Sequence, residues 1–150
     1  MADTNIDRFD RLTGAVFARL YEAFPVGVDL DVMDFSKVIS PGEEYEEVAC
    51  YAINQGEFFN SAVVWLRDAG FITFGDTTLD NSMVYQCRLT AKALQVLKST
   101  PESIGGETLG GRLGEAVKQG TMGALKTVAN EALSRGVGFV VTAAASALNG

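Results

Sequence analysis

Histidine is missing from these 150 residues, and cysteine, proline and tryptophan number only two, three and one. Without histidine the commonest general base is gone, and no Cys-His dyad, Ser-His-Asp triad or histidine-based zinc centre can be assembled. Cys50 and Cys87 fall in segments that read as a helix and a strand, with no CxxC spacing. They are expected to be small buried hydrophobes in a reducing compartment. Cations are scarce where they would matter most: between Lys37 and Arg88 a single basic residue, Arg67, stands against eight acidic ones. Such a stretch is repelled by phosphate polymers and by anionic lipid. Long apolar runs are missing too, since the stretch from Gly136 to Leu148 falls short of the roughly 20 residues that cross a bilayer. The opening MADTNIDRFD has neither a basic nor an apolar segment, so no secretion signal and a cytoplasmic location are expected. The glycine pairs at 105–106 and 110–111 follow no strand and precede no Gly-Lys-Ser/Thr, unlike a phosphate-binding loop. A non-catalytic protein with no cofactor and no metal is the expectation.

What is present is strongly patterned. The formal charge of -7 lies in the first two thirds: residues 1–100 hold eight Lys/Arg and fifteen Asp/Glu, residues 101–150 four of each. Ile6, Phe9, Leu12, Val16, Phe17, Leu20, Tyr21 and Phe24 recur at helical spacing behind a Thr4/Asp7 capping box, which predicts an amphipathic helix over 5–24. Val26, Val28, Leu30 and Val32 alternate with polar or small residues as a half-buried strand does. Ser40-Pro41-Gly42-Glu43 reads as a helix start leading to about Ile53, and Asn54 with Glu57 as the cap of another helix ending at Gly70. Phe71–Phe74 and Met83–Leu89 are β-rich runs joined by a long tip, and Thr90 caps a fourth helix.

In this order the run WLRDAGFI at 65–72 and the run YQCRLTAKALQVL at 85–97 resemble the winged-helix superfamily, with MarR-type and PadR-type regulators nearest. The resemblance covers about residues 5–100. It implies an α+β, mostly α fold: a winged helix-turn-helix with a three-stranded wing sheet, whose second helix of the pair would be the recognition helix. The function that goes with such a fold is a small DNA-binding transcriptional regulator; one dimeric through the first and fourth helices and the tail could present Arg8, Arg11, Arg67 and Arg88 to DNA.

The recognition helix does not carry that chemistry. With Phe59, Val63 and Leu66 facing the core, Phe58, Ser61, Trp65 and Asp68 share the opposite face. Base edges are read by Arg, Lys, Asn or Gln, and only Asn60 and Arg67 are near. The wing offers Asp76 and Asp80. Phe58 and Trp65 either pack beneath the tail or the first helix, or form a protein-docking patch. The acidic run that includes Glu43, Glu44 and Glu47 reads as a solvated helix start favoured by the helix dipole, or as a docking site for a basic partner. Nucleic acid is disfavoured as a partner and a protein is favoured.

From Ser103 the composition turns to glycine, alanine and small aliphatics. Residues 1–100 are expected to form the winged-helix domain, 101–112 a glycine-rich linker and 113–150 an amphipathic helical tail, either one helix or two broken near Gly120–Gly123. Leu113, Val117, Leu125, Val128, Leu133 and Val140 make its apolar stripe. Gly106, Gly110 and Gly114 stand four apart, with Gly136 among further flat spots, as where helix backbones approach closely. Three uses suit the tail: packing back onto the body, self-association into a homo-oligomer, or membrane insertion in a switched state. Together these features favour a protein-interaction module with a C-terminal assembly helix, ahead of a DNA-binding regulator and a membrane-active effector.

Overall fold

A computed structural model describes residues 3–41, 48–100 and 106–149, with the backbone alone described at 48–54 and 138–149. The fold is α+β and mostly helical, with one small antiparallel sheet of four strands. Helix α1 (Asn5–Ala23) starts on the expected capping box: the Thr4 hydroxyl accepts the Asp7 N–H at 3.0 Å, and the Asp7 carboxylate accepts the Thr4 N–H at 3.2 Å. Leu12, Val16, Phe17 and Leu20 on this helix are buried. They make α1 the spine of the core.

The expected strand at Val26–Val32 shortens to β1 (Val28–Asp31). Asp31 turns the chain out of the extended state, its carboxylate accepting the Met33 N–H at 2.9 Å to cap a 3-10 turn over Val32–Phe35. Helix α2 (Ser36–Ile39) follows at once, earlier than the sequence suggests. Ser40 closes α2 by donating its N–H to the Ser36 carbonyl, and the helix start expected at Ser40–Glu43 runs into residues outside the described ones. Residues 42–47, with Glu43, Glu44 and Glu47, lie outside the described residues.

The two helices expected on either side of Asn54 are one, α3 (Val48–Asp68). The Asn54/Glu57 spacing imitates a cap without acting as one, and Gly56 stays helical for a packing reason. The turn at Asp80–Asn81 backs onto it so closely that a Cβ there would stand 3.1 Å from both the Asn81 Cβ and the Asn81 carbonyl oxygen. Gly70, at φ +85°, ends the helix segment as expected. Lys92 adds a remote cap, donating to the Ala69 carbonyl at 2.5 Å while its ammonium lies 4.2 Å from the Phe71 ring centre.

Strands β2 (Ile72–Thr73), β3 (Asp76–Thr77) and β4 (Met83–Leu89) complete the sheet. Strand β4 is central, with β1 on one side and β2 and β3 on the other, so the sheet has four strands where three are expected. The extra strand is the start of the long tip, which folds back on β4. Between β1 and β4 the register slips: Val28 faces Cys87 but Leu30 faces Val84, leaving one extra residue in β4. Gln86 absorbs it at φ 56°, its N–H donated to the Asp29 carboxylate at 3.0 Å. Cys87 beyond it is buried as expected, and burial pushes its thiol up to about 12.

Helix α4 (Ala91–Lys98) is capped by the Thr90 hydroxyl, which accepts the Ala93 N–H at 3.2 Å. The C-terminal third forms α5 (Leu109–Gln119) and α6 (Met122–Asn149), broken at Gly120 in a left-handed conformation. Helix α5 therefore begins inside the expected 101–112 linker, because Thr108 caps it by accepting the Gly111 N–H at 3.0 Å; residues 101–105 of that linker lie outside the described residues. Both helices pack on α1 and on each other.

Candidate functional site

The face shared by α1 and α3 is where exposed apolar surface collects. The start of α1 supplies Asn5, Ile6 and Phe9, and the middle of α3 supplies Phe58, Ser61, Ala62 and Trp65; between them lies a groove of about 370 Å³. Helical spacing dictates this grouping, since 58, 61, 62 and 65 fall within one stripe of α3 while Phe59, Val63 and Leu66 turn inward and are fully buried. The Phe9 and Trp65 rings meet edge-on with centroids 5.3 Å apart. Trp65 nevertheless remains 50% exposed and Ile6 68%. Trp65 thus packs beneath α1 on one side and faces solvent on the other.

Arg8 lies beside the groove, over Phe58. Its guanidinium lies 4.2 Å from the centre of the Phe58 ring and donates to the Ile39 carbonyl at 2.8 Å, to Asn5 Oδ1 at 3.1 Å and to Gln55 Oε1 at 2.5 Å. The first turn of α1 is thereby tied to α2 and α3. The sequence points to Arg8 only as a candidate DNA contact and gives no signal for this tie, since its partners are 31 and 47 residues away for two of these bonds. On the rim, Glu57 and Asp68 are exposed one residue before Phe58 and three residues after Trp65.

The cations that a phosphate-binding reading would need are engaged elsewhere. Arg11 is buried, paired with both Asp3 oxygens at 2.7 and 2.6 Å and donating to the Val38 carbonyl at 2.9 Å. Arg67 pairs with Asp68 at 3.2 Å and lies 4.9 Å from the Phe74 ring centre. At the hairpin tip the Asp80 carboxylate accepts from the Ser82 and Thr78 hydroxyls at 2.6 and 2.7 Å, which holds its pKa below the usual carboxylate range. Leu79 beside it is fully exposed. Of the four arginines that a dimer could present to DNA, Arg8, Arg11 and Arg67 are thus engaged within the chain, which leaves Arg88; Asn60 is partly buried on α3.

The residues expected to drive self-association divide sharply. Leu113, Leu125 and Val128 are at most 2% exposed, and Leu133 packs against the same core. These four residues pack within the chain, the first of the three uses expected for the tail. Gly110 is a site of close helix approach, since a Cβ there would lie 2.6 Å from the Tyr21 ring of α1. Gly106 and Gly114 meet nothing within 4 Å, and Gly106 is instead a turn residue at φ +90°. Val117 is half exposed, and the side chain of Val140 lies outside the described residues. Gly136, one of the tail glycines expected to mark a close approach, meets the Phe71 ring, and one approach escaped the sequence reading, Gly14 of α1 against Leu125. A glycine in the middle of an amphipathic helix was the available signal for it.

The α1–α6 contact is also electrostatic. Lys126 pairs with Asp7, and this with the Thr4 hydrogen bonds lowers the Asp7 carboxyl to about 2. Asp10, one turn along, is nearly buried, and desolvation raises its pKa. A second groove of about 760 Å³ runs between α1, α2 and α5, floored by Ala15 and Ala18 and rimmed by Arg19, Asp34 and Lys118. Among the described residues no helix is long and apolar enough to cross a membrane. Comparison of the chain with protein-family models, with curated proteins and with solved structures finds no match, so the site is read from its own geometry.

Proposed function

We propose that this chain is a non-catalytic protein-interaction module of winged-helix type, in which the α1–α3 groove docks a protein partner and α5 and α6 complete the body. In this reading α2 and α3 are the helix-turn-helix pair and β2–β4 the wing. The observation that carries it is the half-exposed Trp65 in a preformed apolar groove. Covering the exposed half of such a ring, on the order of 100 Å², is worth about 2.5 kcal/mol at about 25 cal/mol per Å². Tryptophan in a desolvated, well-packed setting is the residue type that most often dominates an interface. DNA binding is the weaker reading, because α3 presents Trp65, Ser61 and Asp68 outward and the wing presents acid and Leu79.

Trp65 is the sole tryptophan, so its fluorescence reports this groove alone. Replacing the exposed Ile6 by Gln should leave thermal stability within about 0.5 kcal/mol, as for a surface change. It should abolish co-purification of the partner that the unaltered chain retains. If Ile6→Gln and Trp65→Ala proteins both keep that partner at full occupancy, the groove is not the docking site.

A further inference from the structure

The groove's chemistry also selects its occupant. We infer that it takes an amphipathic helix carrying Lys or Arg at both ends of its apolar face, an inference that rests on the docking reading above. Small ligands are usually buried over most of their surface and oriented by a few convergent polar groups. Here one wall is Ile6 at 68% exposure and the other Trp65 at 50%, too open to enclose a small molecule. The polar side chains in the lining are Asn5 and Ser61, and the Asn5 carbonyl oxygen is already taken by Arg8. Both walls are helices, so no free strand edge invites an extended peptide to add itself to a sheet. What remains is a trough between two helices, the shape that receives apolar side chains spaced i, i+3/i+4, i+7 along a third helix.

Charge then sets the flanks. Glu57 and Asp68 sit on α3 at either end of the Phe58–Trp65 stripe, eleven residues or about 16 Å apart along the axis. Asp68 has only an exposed pairing with Arg67 to give up, which is worth little. Of the nearby cations Arg11 is ion-paired with Asp3, while Arg8 spends its donors on the neutral Ile39, Asn5 and Gln55 oxygens and keeps its charge beside Phe58. A second copy of this chain, also at -7, would meet like charge, and so would nucleic acid or an acidic peptide. A helix with cations about three turns apart and apolar anchors between them meets carboxylates at both ends and the aromatic floor in the middle.

The test uses the full chain and three synthetic tryptophan-free helical peptides of about 18 residues, or five turns. One places Leu at the anchor spacing with Lys flanks, one has the same Leu positions with Glu flanks, and one has the Lys composition with its Leu positions scrambled off one face. The Lys-flanked peptide should shift Trp65 emission to the blue and bind at least about tenfold more tightly than the Glu-flanked one, the worth of two or more surface charge pairs. Its advantage should shrink between about 0.01 M and about 1 M salt, where the screening length falls from about 30 to about 3 Å. The Ile6→Gln protein should lose the shift. Equal binding of the Lys- and Glu-flanked peptides would overturn the basic-helix inference and leave docking intact. Equal binding of the scrambled peptide would mean charge adhesion without the groove, and no emission change with any peptide would remove the docking reading as well.

Discussion

Adding a methyl group to either of two helical glycines should move stability in opposite directions. Gly14 lies inside α1 and Gly114 inside α5, and alanine in a helix interior is favoured over glycine by about 1 kcal/mol. At Gly114 nothing lies within 4 Å of the new Cβ, so Gly114→Ala should gain most of that, about 0.5–1 kcal/mol. At Gly14 the new Cβ would stand 2.8 Å from Leu125 Cδ1 and 2.9 Å from the Leu125 carbonyl oxygen. The oxygen belongs to the backbone of α6 and cannot swing aside, so α6 must lift from α1. Overpacking of this kind costs about 1–3 kcal/mol, which outweighs the propensity gain and leaves Gly14→Ala neutral to about 2 kcal/mol destabilised. For a chain of this size 1 kcal/mol corresponds to roughly 2–4 °C in Tm. Urea unfolding followed by far-UV circular dichroism measures both variants. A Gly14→Ala protein stabilised as much as Gly114→Ala would refute the close α1–α6 contact, and with it the packing of the C-terminal helices into the body.

Four further outcomes follow from local chemistry. Asp10 has its pKa raised by burial, so its charged form is penalised in the fold at neutral pH and the penalty disappears once the group is protonated below its unfolded value of 3.8. Asp10→Asn should therefore raise the urea midpoint at pH 7 and leave it unchanged at pH 3. Asp7 acts with the opposite sign: its carboxyl is lowered to about 2, so its stabilising pairing is complete above pH 3.8 and fades as the pH falls towards 2. Lys126→Met should flatten that part of the acid unfolding curve, and an unchanged curve would show that the pair does not hold α6. Gln86 is exposed in a left-handed conformation that disfavours side chains by about 1–2 kcal/mol, so Gln86→Gly should raise Tm by a few degrees, and a lowered Tm would argue against the bulge. In a Cys50→Ser protein Cys87 should resist a thiol reagent at pH 8 until denaturant is added, because its thiol is held near 12; fast reaction in the native state would contradict its burial.

The parts of this fold that the sequence announced are those set by neighbours in the chain. The α1 capping box, the Gly70 stop, the Thr90 cap and the strand runs each depend on residues within a turn or two. What it hid depends on distant partners. Asn54 looks like a helix start because its cap residues are correctly spaced, yet α3 runs through it, since Gly56 serves the hairpin turn around Asn81. Asp31 bends the chain into a 3-10 turn where alternation alone predicts a strand. The aromatic stripe of the site was legible, as Phe58, Ser61 and Trp65 do line one groove. Its other wall, Ile6 and Phe9, was not, because those residues read as the core face of α1 and only the crossing of α1 and α3 brings them into the site. The tail's apolar stripe was legible as a stripe, while its destination required knowing that Gly14 and Gly110 admit the two helices.

The packing of α6 on α1 also sets a timetable for synthesis. The Gly14–Leu125 contact joins residues 111 positions apart, so the core face of the first helix waits for a helix near the end of the chain. At about 5–20 residues per second that wait is on the order of 5–20 s. Throughout it Gly14 and Asp7 lack their α6 partners, Leu125 and Lys126. Closing contacts across most of the chain is the slow kind of folding, and the nascent protein is most open to association with neighbouring chains before residue 125 emerges.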